Sequence, residues 1–332
     1  MPQAQSIRRW AARWLPWLVG VGLLAGVVYT ALHFSEAEGF VRIAREARPW
    51  WLAAALYLQA LTYSAQGEVF CLVGRAGGTP LRRWTAYRLS LAKIFVDQAI
   101  PSAGLSGTAL IAASLERGGM PRPVVAAAMA VDHATYYAAY VLCLGAALGW
   151  LALAGDATTL IVGVSAAFCV FGAVFGASFL LVAGRRPRAR WLARLKPLQA
   201  GLDYLAAADR MLAWRAPLLG ACLLCQLAIV ALDAATVGVC LASLGARASP
   251  GGVFASFMVS SLLRTLGVVP GGLGTYEAAS VLTLKAVGVS IPAALAATLL
   301  FRGFSFWLPL VPGLWLSRHA VASASGPSHH GE

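Results

Sequence analysis

The sequence predicts an all-α, polytopic integral membrane protein built as two inverted, pseudo-symmetric halves, and three observations predict it. Hydrophobic residues make up 59% of the 332-residue chain and charged residues only 12%, with mean hydropathy +0.73, whereas soluble domains carry about a quarter charged residues. Apolar stretches of membrane-crossing length recur along the chain, and the strand-period alternation of a membrane barrel is absent. Two further apolar segments are interrupted by proline and glycine at corresponding places. The expectation is a single membrane domain over 1–332 with about six full transmembrane helices and two re-entrant, broken-helix segments.

Residues 1–49 hold the first helix, Trp14–His33, and the first outer loop. Arg8, Arg9 and Arg13 ahead of the helix resemble a signal peptide, but the apolar run is long for one and no small-x-small cleavage site follows, so it reads as an uncleaved span. The first half, 50–183, contains spans Trp50–Val73, Val124–Leu153 and Thr158–Ala183, with the broken segment Leu89–Leu115 between the first two. A basic linker covers 184–215. The second half, 216–317, contains Ala216–Leu244, the broken segment Phe254–Lys285 and Ile291–Leu316, and a disordered tail is expected over 318–332.

Lysine and arginine collect in cytoplasmic loops. The richest loop, "GRRPRARWLARLK" at 184–196, belongs there, together with the loop of Arg75, Arg82, Arg83 and Arg88 and the one of Arg117 and Arg122. Basic flanks on both sides of Leu89–Leu115 require it to enter and leave from the cytoplasm, with Pro101, Gly104 and Gly107 allowing the turn. The same count makes Phe254–Lys285 dip in from outside, breaking at Pro270, and places both termini in the cytoplasm. Non-helical backbone at that depth needs protein or a water-filled cavity to satisfy it.

The two breaks form a repeat: Pro101 to Pro270 and Gly119 to Gly288 are each 169 residues apart, and Pro121 and Pro292 follow the glycines. Inverted repeats with interrupted helices at matching positions point to a transporter site near the midplane. Chance similarity between alanine-rich spans is the other reading.

Ionisable residues within spans are costly and face partners or cavities; here they include Glu68, Lys93, Asp97, Asp132, His133, Asp233, Arg264, Glu277 and Arg302. Arg264 and Arg302 suit phosphate, which arginine binds bidentately, and a break at Gly271, Gly272 and Gly274 would add backbone N–H groups. Alternatively each arginine pairs with Glu277, Asp233 or Glu68. Lys93 and Asp97, four apart, read as a neutralising pair. Glu277, Asp97, Asp132, His133, Asp233 and Glu68 are candidates for charge balance or proton coupling, and His133 alternatively for a satisfied core histidine. No metal site or cofactor is expected: the six cysteines lie in apolar spans, and Cys222 and Cys225 lack a second pair or a histidine cluster. The net charge of +13 sits in short loops rather than a basic domain, which argues against nucleic acid. "GLSGT" is no nucleophile elbow, and no nucleotide-binding glycine motif is present.

The stretch "RTLGVVPGGLGTYEAASVLTLKAVGVS" at 264–290, with "LLFRGFSFWLPLVPG" at 299–313 and "PSAGLSGTALIAASLERGGMP" in the first half, resembles the membrane region of the lysylphosphatidylglycerol synthase/flippase (multiple peptide resistance factor) family. The resemblance runs from the first helix to Gly313, although the first copy reads "PSAG" where the second has "PGG". It implies a membrane domain that moves or accommodates aminoacylated or otherwise modified phospholipids. The sequence ends at Glu332, soon after its last span, so the tRNA-dependent aminoacyl transfer of the family's soluble domain is not expected with it.

The sequence therefore supports a non-enzymatic, multi-pass protein of the bacterial inner membrane, a flippase-like carrier of a phosphate-bearing lipid. The alternative is an accessory or scaffold protein for an envelope-lipid or glycan enzyme, docked through 184–215. The expected partners are an anionic or modified membrane lipid, then an envelope enzyme or a second copy of the chain.

Overall fold

The computed structural model describes residues 48–99, 105–154, 159–185, 196–266, 272–310, 312, 313 and 315. The expected helix Trp14–His33, the break residues Pro101, Gly104, Pro270 and Gly271, and the tail lie outside the described residues. Among the described residues the elements are helices: α1 (Pro49–Ala76), α2 (Arg83–Ala99), α3 (Leu105–Arg117), α4 (Arg122–Ala154), α5 (Thr159–Val182), α6 (Lys196–Ala206), α7 (Arg210–Ala213), α8 (Ala216–Ser243), α9 (Pro250–Leu266), α10 (Thr275–Ala286) and α11 (Ile291–Arg302). A π-helical segment, Gly303–Trp307, continues α11.

Among the described residues, four stretches are long and apolar enough to cross a membrane: Arg122–Leu153, Ser165–Val182, Ala216–Ser243 and Ile291–Leu310. The expected span over Trp50–Val73 is not among them. As α1 it has 28 residues, a rise of about 42 Å, but its middle carries Gln59, Thr62 and Gln66, which make side-chain hydrogen bonds to acids on other helices. This helix serves a polar interior, which dilutes its hydropathy.

Both broken segments are hairpins. The end of α1 meets the start of α4, with Gly74 against Met120 and Gly77 against Val124, so α2 begins, and α3 ends, at that same end of the bundle. The two arms pack on each other. At the opposite end of α4, Trp150 lies against Gly251, while Gly252 touches Val287; α9 therefore begins where α10 ends. The 13 residues of α3 and the 12 of α10 rise only about 20 and 18 Å, short of the roughly 30 Å core. The re-entrant reading holds for both segments.

The halves are inverted. Helices α1 and α8, both 28 residues, start 167 residues apart and run antiparallel against each other: Arg48 N–H donates to Ser243 O, and Gln59 reaches Asp233. The 17-residue α2 and α9 also start 167 apart, whereas α4 and α11 start 169 apart. The turns repeat bond for bond. Gly119 N–H donates to Glu116 O and Met120 N–H to Leu115 O, as Gly288 does to Lys285 and Val289 to Leu284. Gly119 (φ 86°) and Gly288 (φ 91°) both occupy the left-handed region that closes such helix ends.

Two apolar cores flank a polar layer. At the end shared by α6 and α7 the core includes Val69, Phe70, Val125, Val131, Leu218 and Cys222. The core at the other end includes Ala55, Leu144, Leu151, Val237, Met258 and Leu295. Between them α1 contributes Gln59, α4 contributes Asp132 and His133, and α8 contributes Gln226, all buried. Arg75, Arg82, Arg83, Arg117, Arg122, Arg210 and Arg215 gather at the α6–α7 end.

Candidate functional site

Both hairpin tips reach the polar layer at mid-height of α4, and in each one carboxylate does the same double task. In the first, Asp97 near the end of α2 accepts from the Gly107 N–H (2.8 Å) through one oxygen and pairs with Lys93 Nζ (3.1 Å) through the other. An acid there satisfies an orphan donor of α3 and complements its dipole. In the second, Glu277 in the first turn of α10 accepts from the Gly274 N–H (2.7 Å) and pairs with Arg302 Nε (2.8 Å). Arg302 is 2% exposed and Glu277 1%. The Arg302 guanidinium lies 4.2 Å over the Phe306 ring and 5.4 Å from that of Tyr276, the stacking that a planar cation prefers.

Arg264 is different. It is half-buried near the end of α9, and among the described residues it has no ion pair or hydrogen bond. Asp233 acts on it from beyond ion-pair distance, and Tyr136, Tyr140 and Tyr276 lie within electrostatic reach. The Tyr276 hydroxyl is buried and has no hydrogen-bond partner among the described residues, and the buried Tyr140 hydroxyl lies beside those of Ser261 and Thr265. Gly272 abuts the Arg264 side chain: a Cβ there would overlap Arg264 Cγ. The result is a cation beside a cluster of hydroxyls, that of Tyr276 unsatisfied among the described residues, at the mouth of a broken helix, an arrangement that costs free energy unless something anionic completes it.

The other expected site residues divide into two groups. Asp132 is buried and accepts from Gln66 (3.0 Å) and Gln226 (2.9 Å), and Asp233 accepts from Gln59 (2.8 Å) and Thr62 (3.4 Å). His133 bonds the Met129 carbonyl and Thr108 (3.0 and 3.3 Å) and stacks on Phe179, the satisfied core histidine of the blander reading. Tyr136 lies within electrostatic reach of Arg264 and also of Lys93, Asp97 and Asp132. Glu68 does not belong with them. It sits near the C-terminal end of α1, a quarter exposed, paired with Arg75 (3.4 Å) and Arg83 (3.3 Å), because the basic loop folds back over it.

Sequence reasoning missed the glutamines. Gln59 and Gln226 stand 167 residues apart, as do Gln66 and Asp233, and each buried acid is held by a glutamine from the opposite half. Their offset was the available signal.

A family model described as the lysylphosphatidylglycerol synthase TM region matches residues 17–313. No curated protein matches the chain.

Proposed function

We propose a lipid-handling role, on the premise that the chain belongs to the lysylphosphatidylglycerol synthase TM-region family. It is a multi-pass membrane protein, and in our reading it binds a phosphate-bearing lipid headgroup at the mid-membrane break and helps it change leaflet, as a carrier rather than an enzyme, in a bacterial inner membrane. The observation that carries this reading is Arg264: a half-buried guanidinium without a protein counter-ion among the described residues, beside the hydroxyls of Tyr140 and Ser261 and the orphan hydroxyl of Tyr276. A phosphate would supply the missing charge and accept from each of these donors. Gly272 and Gly274 leave the backbone bare where the headgroup would approach. Arg302, whose Nε is taken by Glu277, supports the break from behind, and Asp97, Asp132, His133 and Asp233 set the charge balance around it.

The test is movement of fluorescent phosphatidylglycerol, and of an aminoacylated analogue, between leaflets of proteoliposomes. Wild-type protein is expected to accelerate movement and Arg264→Ala to reduce it at least tenfold. Equal rates for both would overturn the reading. Loss on neutralising the basic linker, with Arg264→Ala unaffected, would favour the scaffold role.

A further inference from the structure

Beyond Arg302 the chain carries an irregularity that the lipid-site reading does not use. Pro309 has no N–H, so it cannot donate to the carbonyl four residues back, Ser305, or five back, Phe304. Leu308 N–H donates to Gly303 O, five residues back, which leaves the Phe304 carbonyl with only Pro309 at π spacing. The Phe304 carbonyl is thus orphaned and the Ser305 carbonyl loses its donor at α spacing, in an apolar setting where unsatisfied backbone is costly. Both are taken by side chains from the other half of the molecule. Tyr63 Oη on α1 donates to Phe304 O (2.9 Å), and Gln98 Nε2, one residue from the end of α2, donates to Ser305 O (3.3 Å).

The π segment carries Phe306, 1% exposed, whose ring lies against the Arg302 guanidinium. A π turn holds one more residue than an α turn, so its conversion to α-helix would rotate everything beyond it by roughly 100° relative to Arg302. Phe306 would then leave the guanidinium.

We propose that Tyr63 and Gln98 are positioning residues for the Arg302–Glu277 pair: from the first half they hold the π segment that Pro309 makes necessary, and so link the tip of the first hairpin to the break of the second. Half the linkage comes from α1, packed along α8, and half from the hairpin itself. Displacement of the α2 tip is therefore felt at Arg302. The inference rests on the proposed lipid site only for its effect on binding; the linkage is a property of the fold.

Two readouts test it. In hydrogen–deuterium exchange of purified protein in detergent, Tyr63→Phe and Gln98→Ala should each speed exchange over 303–308 by about tenfold, the scale of one lost hydrogen bond. Adding Pro309→Ala, which restores a backbone donor, should reverse the effect of Tyr63→Phe. Unchanged exchange, or no reversal, would overturn the linkage whether or not any lipid binds. In binding of short-chain phosphatidylglycerol, Tyr63→Phe should weaken affinity several-fold in wild type but add nothing in an Arg302→Lys background. Additive losses would mean that Tyr63 acts on general packing, and would overturn the positioning role.

Discussion

The two hairpins are built alike and charged differently. Asp97 and Arg264 occupy the same place before their breaks, 167 residues apart, while Thr108 and Glu277, and His133 and Arg302, match 169 apart. The Thr108–His133 contact is thus the counterpart of the Glu277–Arg302 ion pair. In the first half the carboxylate that caps the broken helix stands before the break and takes Lys93 as its counter-ion. In the second it stands after the break and takes Arg302. That shift frees the position before the break for Arg264, a cation that the capping carboxylate does not neutralise. The two halves share a frame, and one of them carries a charge that the frame does not require.

The sharpest way to break this comparison is to remove the acid from the buried pair. Glu277→Ala leaves Arg302 buried without its counter-ion and exposes the Gly274 N–H, and a loss of about 3–5 kcal/mol is expected in thermal or denaturant unfolding in nanodiscs. The matching Thr108→Val removes a neutral hydrogen bond and should cost about 1 kcal/mol. Equal costs would mean the two contacts are equivalent after all. A smaller contrast separates glycines. Gly272→Ala combines φ 64° with a Cβ that overlaps Arg264, and should cost about 1–2 kcal/mol and weaken lipid binding. Gly288→Ala has φ 91° and open space around it, so about 1 kcal/mol is expected with binding unchanged.

The smallest effect concerns the α6–α7 edge, where the first hairpin is tied down. Tyr204 Oη on α6 donates to Glu116 at the end of α3 (2.6 Å), under Arg122. Burial first, then the Glu116 bond, push the Tyr204 phenol above its ordinary value of 10.0. The protonated form is favoured in the fold, so the tie is fully present below about pH 10 and is lost as pH rises beyond it. Hydrogen exchange over 196–206 should accelerate there, and Tyr204→Phe should remove the pH dependence.

Much of this was legible in the sequence. The re-entrant hairpins followed from arginine counts and the helix breakers, and the repeat from Pro101, Pro270, Gly119 and Gly288. The equivalence of Asp97 with Arg264 was hidden because Arg264 lies six residues before Pro270 whereas Asp97 lies four before Pro101; a single offset of 169 slides past it. Pairing was also beyond reach. Sequence treated Arg264 and Arg302 alike, and only the fold brings Glu277 to one of them. The glutamines escaped because a search for charge does not register amides, although a buried amide needs partners just as a carboxylate does.

The central proposal is that the second half carries a cation, Arg264, unpaired among the described residues and able to meet a phosphate, where the first half has Asp97. The most direct measurement is the affinity for short-chain phosphatidylglycerol, determined alongside unfolding temperature, for Arg264→Ala. The account predicts that affinity falls at least tenfold while the unfolding temperature stays close to wild type. Wild-type affinity in that variant would contradict it.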